Sequence, residues 1–288
     1  MLDAQTLEAL LAWDERSGRR LPPLARSDPW AILVLEVASQ QTQILRSIAA
    51  ADRFVRRFPT PAALAAASPA DAIREWAGLG YYRRAVLLRG AAVRIVERHG
   101  GEVPRELDAL AALPGIGPYT SRAIAVHAFS EPVAPLDTNL RRVVRRYAGS
   151  DGDVQARGDA LVGSGDPRAI VRALLDLAAL VCRSRDPACV ACPLVAACAS
   201  SFALHTPSNP VRAPVRAFVG SRRWVRGRLI ERLSAAPDEP GLAIEDVSYG
   251  LPGTDVEDAI QGLVADDLVE RRGGYVRLAT SSPRTPGA

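Results

Sequence analysis

The chain of 288 residues contains no lysine, so all 36 residues counted as lysine or arginine are arginines. Catalysis through a lysine Schiff base is therefore excluded. The sequence also lacks any run of about 18 apolar residues, which excludes a helix that spans a membrane. Its N-terminal segment shows no basic region followed by an apolar one, so we expect no signal peptide and a cytoplasmic protein.

The remaining composition is that of a folded protein with a modest excess of positive charge. Hydrophobic residues make up 48% of the chain, which is enough to bury a core in one large domain or two smaller ones. The formal net charge is +4 and the isoelectric point is about 9.1. A basic balance of this size favours a polyanionic partner without identifying it.

Between residues 30 and 205 the sequence predicts a nearly all-helical structure, because apolar residues recur at intervals of three and four. Residues 205–216, HTPSNPVRAPVR, are rich in proline and polar residues and indicate a linker. Residues 217–288 predict two helices and then a hairpin around Gly273 and Gly274, which is typical of a small α+β module of the winged-helix kind. The predicted fold class is therefore mainly α.

All four cysteines lie in one 17-residue stretch with the spacing C-x6-C-x2-C-x5-C. Disulfides are not expected in a cytoplasmic protein, so four neighbouring thiols indicate zinc or an iron–sulfur cluster. Structural zinc usually takes two short cysteine pairs, and only one pair here is short. The spacing favours a [4Fe–4S] cluster and leaves zinc open. The predicted ligands are Cys182, Cys189, Cys192 and Cys198.

The segment LPGIGPYTSRAI, residues 113–124, predicts the end of one helix, a tight turn and the start of another helix. Gly115 and Gly117 would let backbone amides of the turn point outward together, and such amides at a helix N-terminus suit a phosphate group. An ordinary turn between two helices would have the same sequence, so the hairpin by itself does not decide between the two.

The cysteine spacing and the hairpin together resemble those of the helix–hairpin–helix DNA glycosylases of the endonuclease III and MutY kind. The resemblance covers about residues 8 to 203. It implies a [4Fe–4S] cluster on the cysteines, and a hairpin that grips the DNA backbone with a monovalent cation. It also implies the following division: an iron–sulfur domain at 1–27 and 136–204, a six-helix domain with the hairpin at 28–135, the linker at 205–216 and the winged-helix-like module at 217–288.

The same resemblance implies catalytic roles for four residues. Glu36, in LEVASQQTQI, matches the glutamate that protonates the leaving base, although without the resemblance it would pass for a partly buried surface residue. Asp137 matches the aspartate that stabilises positive charge on the sugar, and it is also suited to cap a helix. Asn139 helps to hold the site. Tyr119 stands where strand-cleaving members carry a lysine, so the family resemblance predicts a monofunctional glycosylase that uses water.

Several further residues are expected to contact DNA. Gln41 and Thr42 match residues that enter the base stack, and Tyr81, in GLGYYRRA, matches a tyrosine that wedges beside the partner base 8-oxoguanine. Gly115 and Gly117 of the hairpin would contact phosphates. Four arginines of the next segment are expected partly to contact phosphates and partly to form a solvated face: Arg141, Arg142, Arg145 and Arg146.

The residues expected to line the base pocket depart from the MutY pattern. Leu24 and its neighbours replace a tryptophan and a polar residue, Ser39 replaces a leucine, and Arg172 stands where a glutamate or glutamine usually faces the base. A pocket built to hydrogen-bond one base rejects another strongly, so these changes leave the substrate open. The predicted pocket residues are Leu24, Ser39, Ile44 and Arg172.

Three functional hypotheses follow. The first is a base excision repair glycosylase that removes adenine mispaired with 8-oxoguanine or guanine. The second keeps the chemistry and changes the base to another damaged or mismatched one. The third is a non-catalytic iron–sulfur regulator that binds DNA, which the two retained carboxylates disfavour. In the first two, the partner is double-stranded DNA with a lesion or mismatch, and we expect a monomer associated with the bacterial nucleoid when bound.

Overall fold

The structure is a computed structural model that describes residues 1–20, 22, 28–149, 152–202, 218–251 and 253–281. The predicted linker at 205–216 lies outside these ranges, and so does the predicted pocket residue Leu24. Within the described ranges the chain is mainly helical, with one small antiparallel sheet, which confirms the predicted fold class.

The helices follow one another along the chain with short connections. They are α1 (Ala4–Ser17), α2 (Pro29–Ser39), α3 (Ile44–Arg57), α4 (Pro61–Ala66), α5 (Pro69–Glu75), α6 (Arg83–His99), α7 (Leu107–Ala111), α8 (Pro118–Phe129), α9 (Thr138–Ala148), α10 (Val154–Val162), α11 (Pro167–Leu180), α12 (Arg222–Ser234), α13 (Ile244–Ser248) and α14 (Gly253–Ala265). The strands are β1 (Leu242–Ala243), β2 (Val269–Arg272) and β3 (Tyr275–Leu278).

Polar caps and prolines fix several of the helix starts. Ser68 and Asp71 form a reciprocal capping box ahead of α5, and Asp166 caps α11 by accepting from the amide of Arg168 at 3.1 Å. Proline occupies the first turn of both helices, where its missing N–H has no intrahelical partner to lose. A polar cap followed by proline is a local signal for a helix start, and both helices have it.

The chain divides into two compact units. The first contains residues 1–36, 104–112 and 116–210, and the second contains residues 37–103, 113–115 and 211–288. This grouping cuts the chain at other places than the predicted four-part division does, and that division stays a prediction.

The first unit has a continuous apolar core. It is built from α1, α9, α10 and α11 and includes fully buried Leu10, Leu140 and Ile170. Two of the cysteines, Cys182 and Cys192, pack against this core. The cysteine loop is therefore anchored on the same apolar surface that holds α9 and α11 together.

The second unit has an aromatic core in its N-terminal part. The Phe54 ring lies 5.0 Å from that of Phe58 and 5.3 Å from that of Trp76 between centroids, and the Phe54–Trp76 pair is edge-on. Helix α6 packs against α4 and α5, while α3 packs against α5. This bundle supports the two loops that precede α3 and α6.

The C-terminal part of the second unit is a winged-helix module. Its order is α12, β1, α13, α14, β2 and β3, and the antiparallel sheet has the strand order β1–β3–β2. The β2–β3 turn uses Gly273 in the left-handed region, at φ +59°. Helix α12 and strand β3 contact α5, and Arg74 Nη1 donates to Asp238 Oδ2 at 3.3 Å. None of the described helices combines the length and apolarity that crossing a bilayer requires.

Candidate active site

Glu36 is the one acidic residue of an otherwise apolar helix. Helix α2 has the sequence PWAILVLEVAS, and Leu33, Val34 and Val37 around the glutamate are buried. Glu36 itself is half-buried, and this burial raises the pKa of its carboxyl from 4.5 to about 7. At neutral pH this carboxyl is therefore protonated in about half of the molecules.

Asp137 is held at a helix start. It is the N-cap of α9, and its Oδ1 accepts from the amide of Leu140 at 2.6 Å. Its Oδ2 accepts from Nδ2 of Asn139 at 3.0 Å. The carboxylate is therefore fixed by one backbone donor and one side-chain donor.

Tyr119 lies in the electrostatic field of both carboxyl groups. It is the second residue of α8, after Pro118 at the first helical position. Burial raises the pKa of its hydroxyl, and the negative charges of Glu36 and Asp137 raise it further. The structure thus brings together Glu36, Tyr119 and Asp137, three of the four residues predicted to be catalytic, and Asn139 holds the last of them.

A hydrogen-bonded chain connects Asp137 to the cysteine loop. Asn139 bridges the two, because its Oδ1 accepts from Nη1 of Arg142 at 2.9 Å. Arg142 Nε then donates to the carbonyl of Cys182 at 2.9 Å, and its Nη2 donates to the carbonyl of Ala178 at 2.9 Å. Arg142 is therefore bound to three protein acceptors, which its sequence position did not predict, and its side chain also lines an open groove.

Arg146 holds the cysteine loop from the next turn of α9. Its Nη1 donates to the carbonyl of Arg183 at 2.6 Å and lies 3.5 Å from Sγ of Cys182, and its Nη2 donates to the carbonyl of Ser184 at 3.2 Å. Its own carbonyl accepts from the amide of Ser200 at 3.1 Å. This arginine is also bound to protein acceptors. Together with Arg141, Arg142 and Arg145, it lines an open groove.

The four cysteines are half-buried thiols whose charges interact. Burial raises the pKa of Cys192 to about 11, and the other three cysteines raise it further. Burial likewise raises the pKa of Cys198. Among the residues that the structure describes, no three His, Cys, Asp or Glu side chains lie close enough to bind a single metal ion.

The donor set of the cysteine loop fits a [4Fe–4S] cluster, because such clusters are held by four thiolates. The residues that would hold the cluster are Cys182, Cys189, Cys192 and Cys198.

The hairpin turn requires glycine at one of its two positions. Gly115 has φ +78°, and a Cβ atom there would lie 2.9 Å from Cβ of Leu87. Gly117 has φ −86°, and a Cβ atom there would meet nothing within 4 Å. Gly117 is the N-cap of α8, and among the described residues no side chain caps that helix. Its first amides therefore have no side-chain acceptor, which agrees with the predicted role in binding phosphate.

Gln41 and Tyr81 have left-handed backbones, which is unusual for residues other than glycine. Their φ angles are +55° and +47°. Thr42 Oγ1, next to Gln41, lies 3.3 Å from the carbonyl of Gln40, to which it donates. Gln40 Nε2 in turn donates to the carbonyl of Gly115 at 3.3 Å. The predicted DNA contacts Gln41, Thr42 and Gly115 are thereby connected within the second unit.

Arg84 ties the Gln41 and Tyr81 loops together, and sequence reasoning gave it no role. Its Nη1 donates to the carbonyls of Val37, Ala38 and Gln40 at 3.0, 2.9 and 2.6 Å. Its Nη2 lies 3.2 Å from Oγ1 of Thr42 and 3.2 Å from the carbonyl of Gly80. Arg84 is 8% exposed, and this burial lowers the pKa of the guanidinium to about 10, so it stays charged.

The predicted pocket residues are more scattered. Ser39 is the last residue of α2, and its buried Oγ has no hydrogen-bond partner among the described residues. Ile44 is half-buried at the start of α3. Arg172 donates from Nε to Oδ2 of buried Asp14 at 2.8 Å, and its side chain is 59% exposed. No role for these three in base recognition follows from the geometry alone, and Leu24 lies outside the described residues.

The chain matches a known family over its catalytic segment. Residues 34–159 match the HhH-GPD superfamily base excision DNA repair protein. This range contains Glu36, Tyr119 and Asp137, and it ends before the cysteine loop.

Two mycobacterial proteins are similar along most of the chain. The adenine DNA glycosylase of Mycobacterium tuberculosis (strain ATCC 25618 / H37Rv) is 40% identical over 273 residues, which is 91% of this chain and 89% of that protein. The adenine DNA glycosylase of Mycolicibacterium smegmatis (strain ATCC 700084 / mc(2)155) is 36% identical over 270 residues, which is 91% of this chain and 92% of that protein. Coverage of this extent includes most of the winged-helix module.

A solved structure supports the fold of about two thirds of the chain. A thermostable thymine-DNA glycosylase is similar with a TM-score of 0.63 and 25% sequence identity, covering 69% of this chain and 95% of that chain.

We expect the Glu36→Gln variant to be more stable than wild type at about pH 8 but not at about pH 4. The pKa of Glu36 is about 7 in the folded protein and about 4.5 when it is unfolded. Wild type therefore loses stability as the pH rises from 4.5 to 7, and the loss stays constant at higher pH. The difference in unfolding free energy, measured with urea, should reach about 3 kcal/mol. An equal difference at both pH values would contradict the raised pKa.

Replacing Arg84 with methionine should destabilise the protein by about 3 kcal/mol, because several buried carbonyls would lose their donor. The neighbouring Arg83 is the matched control: its side chain is 64% exposed and pairs with Asp266 at 3.5 Å. Arg83→Met should cost about 0.5 kcal/mol or less. Equal losses of unfolding free energy for the two variants, measured in urea, would show that the Arg84 contacts stabilise the protein no more than a surface ion pair does.

Proposed function

Because the chain belongs to the MutY-type adenine DNA glycosylases of the helix–hairpin–helix superfamily, we propose that it excises adenine mispaired with 8-oxoguanine or guanine. The observation that carries this proposal is the pair of carboxyl groups, Glu36 and Asp137, which share Tyr119 as a neighbour and differ in environment. Two carboxyl groups with different environments are suited to an acid role and a charge-stabilising role.

Glu36 is proposed as the general acid. With a pKa near 7 it is protonated in a large share of molecules at neutral pH, and it can donate that proton to a ring nitrogen of the leaving adenine. Protonation makes the base a better leaving group, so the N-glycosidic bond breaks with positive charge developing on the sugar.

Asp137 is proposed to stabilise that developing charge. Its hydrogen bonds to the amide of Leu140 and to Asn139 fix the carboxylate before the reaction begins. A preorganised negative group needs no rearrangement when the sugar becomes cationic, which is the source of its catalytic effect. Water then adds to the sugar.

Strand cleavage through a lysine is not part of the proposed reaction. Tyr119 occupies the position of the family's lysine nucleophile, and the chain has no lysine elsewhere. The raised pKa of Tyr119 keeps its hydroxyl neutral and able to donate a hydrogen bond. The proposed product is an abasic site in an intact strand.

DNA contact is proposed for the hairpin and for the loops around Gln41 and Tyr81. The uncapped amides at the start of α8 are at the positive end of a helix of 12 residues, which favours a phosphate. The monovalent cation predicted at the hairpin, the monomeric state and the association with the nucleoid stay predictions.

We also propose that the four cysteines hold a [4Fe–4S] cluster. When bound, the cluster would cross-link the loop through its iron–thiolate bonds, and four thiolates leave no iron position open for substrate. Arg142 and Arg146 bind carbonyls of the same loop, so the loop would be fixed both by the cluster and by α9.

A different target base is the second candidate function, and Ser39 is the observation that favours it. Its Oγ is a buried hydroxyl without a partner among the described residues, where the MutY pattern has leucine. Exchanging an apolar side chain for a hydroxyl near a base site changes which base is accepted, because polar groups in such a site discriminate strongly. Measuring release from duplexes that carry different lesions separates the two candidates.

The proposed function predicts release of adenine from a duplex that pairs it with 8-oxoguanine, detected by alkali cleavage of the abasic product. The single-turnover rate should fall as pH rises through about 7, because Glu36 then loses the proton it donates. Glu36→Gln and Asp137→Asn should each slow release by about a hundredfold or more. Release of another base in preference to adenine would overturn the substrate, and full activity of Asp137→Asn would overturn the mechanism.

The cluster proposal predicts about four irons and four sulfides for each chain purified without oxygen. Cys192→Ser should lower the iron content and melt at a lower temperature than wild type, because the loop loses a cross-link. Stoichiometric zinc without sulfide in the wild-type protein would contradict the cluster.

A further inference from the structure

Two loops of the second unit contain left-handed residues other than glycine. Gln41 follows α2 and has φ +55°, and Tyr81 precedes α6 and has φ +47°. A left-handed backbone is unfavourable for a residue that has a Cβ atom. Contacts with the rest of the unit must therefore hold both loops in this conformation.

Packing of the two side chains into the core does not explain the conformation. Gln41 is exposed, and Tyr81 is 38% exposed. The Tyr81 ring is contacted by two cations: the guanidinium carbon of Arg223 lies 4.2 Å from its centroid, and that of Arg84 lies 5.4 Å from it. Residues held in an unfavourable backbone conformation cluster at functional sites. The two exposed side chains therefore suit contact with a ligand.

Arg84 binds the backbone directly before each of these two residues. Its Nη1 donates to the carbonyl of Gln40 at 2.6 Å, and its Nη2 donates to the carbonyl of Gly80 at 3.2 Å. The same Nη2 lies 3.2 Å from Oγ1 of Thr42, on the other side of Gln41. All these donors belong to one planar guanidinium group, so the two loops are held at a fixed separation.

The Gln41 loop is also attached to the hairpin turn, which belongs to the same unit. Gln40 Nε2 donates to the carbonyl of Gly115 at 3.3 Å. A Cβ atom at Gly115 would lie 2.9 Å from Cβ of Leu87, so the turn packs closely on α6, the helix that carries Arg84. Helix α6 thereby supports all three segments for which DNA contact is proposed.

Arg89 of the same helix shows what a purely structural cross-link looks like. Its Nε donates to the carbonyl of Ala67 at 2.6 Å, and its Nη2 donates to that of Ala65 at 3.1 Å. Both acceptors lie at the end of α4, where the backbone is helical and then extended. Arg89 therefore joins two helices, whereas Arg84 holds two left-handed residues.

We propose that Arg84 is a positioning residue for base extrusion, because it fixes Gln41 and Tyr81 in the conformation that enters the base stack. The inference rests on the proposed function, which assigns DNA contact to these two loops. Extrusion costs the stacking and pairing of the target base. Loops that are fixed before DNA binds lose little further conformational freedom, so more of their contact energy offsets this cost. Without Arg84, both residues relax toward right-handed backbone, and DNA binding has to reorder them.

The test measures extrusion by full-length protein carrying Glu36→Gln, which keeps the target base attached. In the duplex, 2-aminopurine replaces the adenine opposite 8-oxoguanine, and its fluorescence rises when it leaves the base stack. At saturating protein, the added change Arg84→Met should lower the ratio of extruded to stacked base about tenfold. Binding to a fully paired duplex, which depends on phosphate contacts, should weaken less than about twofold.

The matched control is Arg89→Met, which removes another arginine of α6 that binds two carbonyls. It should lower stability and leave the extrusion ratio within about twofold of its parent. Arg84→Lys is the second variant and decides the test if Arg84→Met does not fold. It keeps the charge, but one ammonium group cannot bind both loops, so extrusion should again fall about tenfold. Circular dichroism sets a temperature at which every variant is folded.

Equal extrusion losses for Arg84→Met and Arg89→Met would make Arg84 a structural cross-link only. An unchanged ratio in the Arg84 variants would show that Gln41 and Tyr81 are positioned without it. Both results overturn the inference. Failure of the proposed function would appear separately, as absence of adenine release by the wild-type enzyme and of 2-aminopurine extrusion by protein that keeps Arg84.

Discussion

The hydrogen-bonded chain from Asp137 through Asn139 and Arg142 to the carbonyl of Cys182 connects the proposed catalytic carboxylate to the cysteine loop. Each link is about 3 Å long, and the last of them joins α9 to the segment that follows α11. Because these two helices share the apolar core of the first unit, the carboxylate is positioned by the packing of the unit as a whole. A cluster on the cysteines would strengthen the same support, which is a physical reason for a structural cofactor to affect a reaction in which it takes no part.

The arginines of this protein have two functions, which arginine and lysine share in most proteins. Some arginines cross-link backbone: Arg84 binds the carbonyls of the two loops before α3 and α6, and Arg146 binds those of the cysteine loop. The planar guanidinium has five donors, so one side chain can satisfy several carbonyls that an ammonium group would reach less well. Others, such as Arg223, stay unpaired with carboxylates within the described ranges and are available to DNA. Net charge therefore overstates how much positive surface the chain offers.

Glu36 and Asp137 show how the surroundings separate the roles of two carboxyl groups. Burial on α2 raises the pKa of Glu36 and favours its protonated form, whereas Asp137 is fixed by an amide and a side-chain donor at the start of α9. The negative charges of both carboxyl groups raise the pKa of the Tyr119 hydroxyl. In the proposed reaction, the same fold thereby supplies a proton donor and an anion to one bond-breaking step.

The sequence by itself determined the helical class, the cysteine spacing, the helix caps, the absence of a lysine nucleophile and, through family resemblance, the residues Glu36, Tyr119 and Asp137. These signals are local or compositional, so they can be read without knowing which segments meet. Only the tertiary structure decided the partners of Arg84, Arg142 and Arg223, and it added an internal cross-link at Arg142 that its sequence position did not predict. Their acceptors and rings lie far away along the chain, and an arginine on a helix has the same local pattern whether it faces a carbonyl, a ring or water. Long-range packing alone distinguishes these cases, because it sets which groups come within about 3 Å of the guanidinium.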